Sequence, residues 1–126
     1  MNKVYLISGA ILGFLAVSIG AFGAHAFKEY LLVAGNLETY NTAVEYQFYH
    51  ALALIFTGIL TKEFDNKWNK YAGFSFLVGI VIFSGSLFLI CLTGVKIFGA
   101  IAPLGGTFLI LGWLSSILSF LVNKKV

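Results

Sequence analysis

The sequence predicts an all-α polytopic membrane protein, a four-transmembrane-helix bundle with both termini in the cytoplasm. Three observations carry that expectation. Of 126 residues, 60% are hydrophobic and only 10% charged, against roughly 25% charged in an ordinary soluble domain. The charges are gathered between long apolar runs of the length that a hydrocarbon core of ~30 Å demands, about 20 helical residues. The lysines, finally, are distributed asymmetrically about those runs. Strands of a membrane barrel are excluded, because these runs far exceed ~10 residues and do not alternate apolar with polar.

The first run, residues 4–27, carries no charge. It ends in "GAFGAHAF", where Ala24-His25-Ala26 has the small-x-small form of a signal-peptidase site. A secretory signal has an apolar core of about 7–15 residues, and this run is longer. It is also regularly spaced: Gly9, Gly13, Ala16, Gly20 and Gly23 recur at intervals of four, three, four and three. That places small residues on one stripe of a helix, where they let backbones approach closely in lipid. A disposable signal gains nothing from such a stripe, so the segment reads as a permanent helix.

The second span is expected over about residues 39–61. Its uncharged part, Tyr46–Thr61, is short, and Asn36 in "GNLET" offers an N-cap for a helix starting near Leu37. Between the first two spans, "KEYLL" suggests a short interfacial turn. The third span covers about residues 71–95, with Ser75, Gly79 and Ser86 on one stripe and Gly85 beside it. The fourth covers about residues 99–122, with Gly105, Gly112, Ser115 and Ser119 near heptad spacing and Gly106 adjoining. Pro103 leaves two possibilities. A helix begun before it is kinked and frees the carbonyl of Gly99; a helix begun at it, the preferred reading, leaves 97–102 irregular and in need of burial. The whole chain, 1–126, forms one domain.

Orientation follows from the lysines. Lys3, Lys62, Lys67, Lys70, Lys124 and Lys125 fall on one side, Lys28 and Lys96 on the other. The positive-inside rule makes the first side cytoplasmic, and the location expected is the inner (cytoplasmic) membrane. Trp68 and Tyr71 suit the inner interface, Tyr30 and Tyr40 the outer.

With this topology the unusual residues gather in the outer half: His25; Glu45, Tyr46, Gln47 and His50; Ser84 and Ser86; Pro103. The inner half reads as plainer. The candidate polar cluster or ligand-binding set is these eight residues, with His50 expected to face the interior and hydrogen-bond near Ser84, Ser86 or the 99–103 backbone. Glu45 is placed near the interface, where a carboxylate is cheaper than at the bilayer centre. The helix-packing set is Gly9, Gly13, Gly20, Gly23, Gly85, Gly105, Gly106 and Gly112. His25, His50 and Glu45 lack the local spacing of a metal site, so no metal and no other cofactor is expected. No nucleophile elbow, P-loop or dinucleotide fingerprint occurs. Cys91, the single cysteine, reads as a small buried residue.

Four stretches carry a resemblance: "GAFGAHAF", "TAVEYQFYHALAL", "FSGSLFLICLTG" and "GAIAPLGGTFLILGW". In order, spacing and total length the chain resembles the YgdD-like family of small bacterial inner-membrane proteins, kin of the eukaryotic transmembrane protein 256. Ala102 departs from the pattern, standing where a polar residue is typical, which weakens any hydroxyl role there. The resemblance implies a four-span bundle built on these motifs and implies no activity. It points to Gly20, Gly23, His25, Tyr46, Gln47, His50, Ser84, Gly85, Ser86, Pro103, Gly105 and Gly106.

The functional expectation is therefore a structural or partner-binding membrane component, in contact with membrane lipid and with a second copy or another membrane protein, and not with nucleic acid. The alternative is a binder or transporter of a small molecule, lipid or ion using the polar outer half. Catalysis is not expected. Glu45 and His50, the best acid–base candidates, stand about 140° apart around a helix.

Overall fold

Four helices long and apolar enough to cross a membrane make up the computed structural model, which describes residues 1–124; Lys125, used above for orientation, lies outside the described residues. The elements are α1 (Lys3–Ala24), α2 (Lys28–Ala34), α3 (Leu37–Leu60), α4 (Lys67–Thr93), a 3₁₀ turn (Lys96–Ala100) and α5 (Ala102–Val122). At 1.5 Å per residue the four long helices measure about 32–40 Å, enough for a bilayer core. The long helices pack in sequence order, α1 on α3, α3 on α4 and α4 on α5. One end of the bundle, the terminal end, carries Asn2 and Asn123; the far end carries α2 and the 3₁₀ turn.

Local chemistry sets the ends. Asn2 caps α1, its side-chain oxygen accepting from the Tyr5 N–H, and its own N–H reaches the Gly58 carbonyl at 2.9 Å. Helix α2 closes on Gly35 at φ 73°, a left-handed conformation that glycine adopts without strain. Its N–H donates to Leu32 O and that of Asn36 to Leu31 O, the paired pattern that satisfies the last carbonyls of a helix. Asn36 does precede α3, but its side chain makes no capping hydrogen bond. Asn66 caps α4 instead, accepting from the N–H groups of Trp68 and Asn69. Pro103 lies in the first turn of α5, where its missing N–H leaves no gap. The later start preferred from sequence is the one observed, and the residues before it form the 3₁₀ turn.

The core is a set of seams between small and bulky side chains. Along α4 and α5, Gly105 accepts the backbone and side chain of Phe83, Gly79 accepts Leu109, and Gly112 accepts the ring of Phe76. Leu109 and Phe76 are buried. Along α1 and α3, Gly9 lies against the Ala51 carbonyl and Ile55, Gly20 against Val44, and Gly23 under the ring of Tyr40. Tyr5 crosses from α1 to α4, lying over Gly73 and donating to the Lys70 carbonyl.

Three glycines expected in packing behave otherwise. A Cβ at Gly85 would meet nothing within 4 Å, and one at Gly13 or Gly106 would make only ordinary contacts, to Ala51 and Phe83 at 3.9 and 3.7 Å. Gly85 sits one residue off the α4 stripe that faces α5, so it cannot serve that seam. Tyr40, in the first turn of α3, is buried over Gly23 and donates to the Ile19 carbonyl.

Candidate functional site

Helix α3 is the most buried of the long helices, and it carries the densest polar stretch. Its polar side chains point three ways. Gln47 is buried against α1, its Nε2 donating to the Leu12 carbonyl at 2.8 Å. The Ala43 carbonyl accepts from the buried Ser84 hydroxyl of α4 at 2.8 Å. His50 faces α4 and α5, where Phe76 and Trp113 lie 5.8 Å from its ring and Tyr46 stacks at 6.0 Å.

His50 makes two polar contacts, and together they define its state. The Trp113 indole N–H lies 3.0 Å from Nε2. An indole nitrogen only donates, so Nε2 is the acceptor and carries no proton. Nδ1 lies 2.8 Å from the Tyr46 carbonyl, which only accepts, so Nδ1 holds the proton. The ring is thus a neutral imidazole in the Nδ1–H tautomer. It lies about 20 Å along α3 from Leu37 and Trp113 about 16 Å along α5 from Ala102, near the middle of both helices.

The expectation for His50 is met in its direction and corrected in its partner. It faces the interior and bonds to the last helix, but through Trp113 and not through Ser84, Ser86 or the 99–103 backbone. Ser86 is buried and donates to the Ile82 carbonyl of its own helix. Pro103 is exposed, and its carbonyl accepts from Thr107. His25 is exposed at the C-cap of α1, and Glu45 is exposed on α3. Tyr46 is half-exposed; it offers its carbonyl to His50 and its ring to Phe83, at 5.0 Å. The eight sequence candidates therefore do not converge on one cavity. The buried ones are bonded within the bundle, as polar groups inside a membrane helix bundle must be.

Sequence reasoning missed two features. Trp113 lies within an apolar run; its signal is an indole at mid-span, away from the interfaces where tryptophan concentrates. The second is a polar network at the terminal end. Buried Asn69 donates to the Thr57 carbonyl at 3.2 Å and to Thr61 Oγ1 at 3.1 Å, and Asn66 donates to the Ser119 carbonyl. That half of the bundle is not the plainer one.

Residues 19–106 match the family described as "Protein of unknown function (DUF423)". The chain belongs to this family. It is 43% identical over 112 residues to a UPF0382 membrane protein of Staphylococcus saprophyticus, with 89% of this chain and 92% of the relative covered. Against the UPF0382 membrane protein YwdK of Bacillus subtilis, identity is 42% with 89% and 91% covered. A UPF0382 membrane protein of Haemophilus influenzae is 36% identical, with 91% of each chain covered. No solved structure matches the chain. The family's proteins are integral membrane proteins of unknown biochemical role, and the four apolar helices make this chain a multi-pass member. The suspected kinship is thereby established at the level of the family. Nothing in the arrangement favours the transporter alternative, since the buried polar side chains that suggested it are occupied by partners inside the bundle.

Proposed function

We propose that this protein is a non-catalytic, partner-binding component of the cytoplasmic membrane, with both termini in the cytoplasm, that associates laterally with another membrane helix. The observation that carries the proposal is Glu45. It is exposed on a membrane helix, about 12 Å along α3 from Leu37, and no partner for its carboxylate occurs among the described residues. Near the interface a carboxylate costs less than at the bilayer centre, and pairing with a donor or cation would remove what cost remains. It borders a groove of about 240 Å³ where Ala16 and Gly20 of α1 meet Phe48 and Tyr49 of α3. Small residues on one wall and aromatics on the other suit a packed helix, and a donor or cation on that helix would complete Glu45.

The test is site-specific photo-crosslinking from Phe48 in native membranes. The expected result is a recurrent adduct, with this chain or with one other membrane protein, whose yield falls in Glu45→Gln. Recovery of neither a self-adduct nor a repeated second protein overturns the reading.

A further inference from the structure

The far end of the bundle holds a cleft of about 590 Å³ between the last turns of α1 and α4, with α2 and the first turn of α3 completing its walls. Ile19 and Phe22 face it from α1, Phe88 and Leu92 from α4, and Leu31 from α2. The volume lies within the roughly 300–1,000 Å³ of ligand clefts. Water needs polar partners to stay in such a space. The lining supplies almost none. The Tyr40 hydroxyl is committed to the Ile19 carbonyl, and the Cys91 thiol points to the Asn36 carbonyl at 3.8 Å. Tyr30, the remaining polar member, stands at the exposed rim. A polar ligand would find no hydrogen bond in the interior of this cleft, whereas a hydrocarbon chain would need none.

Charge at the rim narrows the occupant. Lys28 directly follows Phe27, which lines the cleft, and Lys96 follows Leu92 by four residues across the Gly94 turn. These are the two lysines of the far end. Neither has a carboxylate partner among the described residues, although Glu29 and Glu38 lie at the same end. Apolar space at the far end of the bundle, with two exposed lysines one and four residues along the chain from its lining, suits the two halves of one molecule, an apolar chain and an anionic head. We propose that this cleft holds an acyl chain of an anionic phospholipid whose headgroup is held by Lys28 and Lys96. The site is separate from the Glu45 groove and does not depend on the lateral-partner reading.

The experiment uses the wild-type chain in nanodiscs of phosphatidylcholine doped with phosphatidylglycerol bearing a photoactivatable acyl chain. Peptide mapping is expected to place adducts on Phe22, Phe27 and Leu92 several-fold above those on Ile110 and Leu121, two of the exposed apolar side chains of α5. Excess unlabelled phosphatidylglycerol should remove the cleft adducts, while excess phosphatidylcholine should not. Lys28→Ala combined with Lys96→Ala, two exposed changes, should lower them several-fold and leave α5 labelling as it was. Even labelling of all exposed faces would reduce the cleft to bulk lipid contact and overturn the proposal. Cleft labelling indifferent to headgroup and to both lysines would overturn it equally.

Discussion

Trp113 donates its indole hydrogen to Nε2 of His50 at 3.0 Å, joining α5 to α3 across α4. The contact exists because Gly112, the residue before Trp113, leaves room for the Phe76 ring. Phe76 and Trp113 then meet at 5.1 Å in an edge-on arrangement, which aims the indole at His50. In lipid such a bond substitutes for solvation that neither group can find elsewhere.

His50→Leu should lower stability by about 1–3 kcal/mol, because it strands the indole donor. Trp113→Phe should cost a similar amount by stranding Nε2. In a double-mutant cycle the two losses should overlap, with a coupling of about 0.6–2 kcal/mol. Reversible unfolding in bicelles measures this, and strictly additive losses would show that the pair is not bonded. Solid-state ¹⁵N spectra should find the proton on Nδ1.

The seams predict a sharp contrast between glycines. Gly105→Ala places a methyl on the Phe83 backbone, which cannot yield as a flexible side chain can, and overpacking of this kind costs about 1–3 kcal/mol. Gly85→Ala meets open space and should be neutral or slightly stabilising, since alanine is favoured over glycine in a helix by up to about 1 kcal/mol. Thermal melting of the purified variants separates the two; equal losses would mean the α4–α5 register is wrong.

At the terminal end, Asn69→Ala removes two hydrogen bonds from a buried position and should destabilise by about 1–3 kcal/mol. Ser119 nearby is fully buried, and its hydroxyl has no hydrogen-bond partner among the described residues. Ser119→Ala should therefore be neutral or raise stability by up to about 1 kcal/mol, as removing an unsatisfied buried hydroxyl does. A loss of stability in Ser119→Ala, read in the same melting assay, would mean the hydroxyl is bonded after all.

Orientation is tested by impermeant thiol labelling of intact cells in a Cys91→Ser background. Cysteine at Glu38, exposed near the start of α3, should label from outside. Cysteine at Asp65, exposed between α3 and α4, should label only after the membrane is opened. The reverse pattern would falsify the positive-inside assignment.

Composition and patterning by themselves determined the class of object: four membrane helices, with small-residue stripes that include the seam glycines Gly9, Gly20, Gly23, Gly105 and Gly112; around "KEYLL" they suggested only a turn, where the structure has a helix, and at Pro103 they left two possible starts. These are properties of one helix at a time. Length, hydropathy and a stripe at heptad spacing are all written along a single segment. What only the tertiary structure decided is which polar group meets which. His50 and Gln47 look like neighbours in "YQFYH", yet one bonds to α5 and the other to α1, because a hydrogen bond between helices depends on their relative rotation and axial offset. Those are set by which bulky residue fills which glycine notch: Phe83 at Gly105, Leu109 at Gly79, Phe76 at Gly112. No single-helix pattern encodes that pairing. Hence Trp113 and Asn69 were invisible as partners, Gly85 was misjudged as packed, and the far-end cleft emerged only when α1, α2 and α4 were brought together.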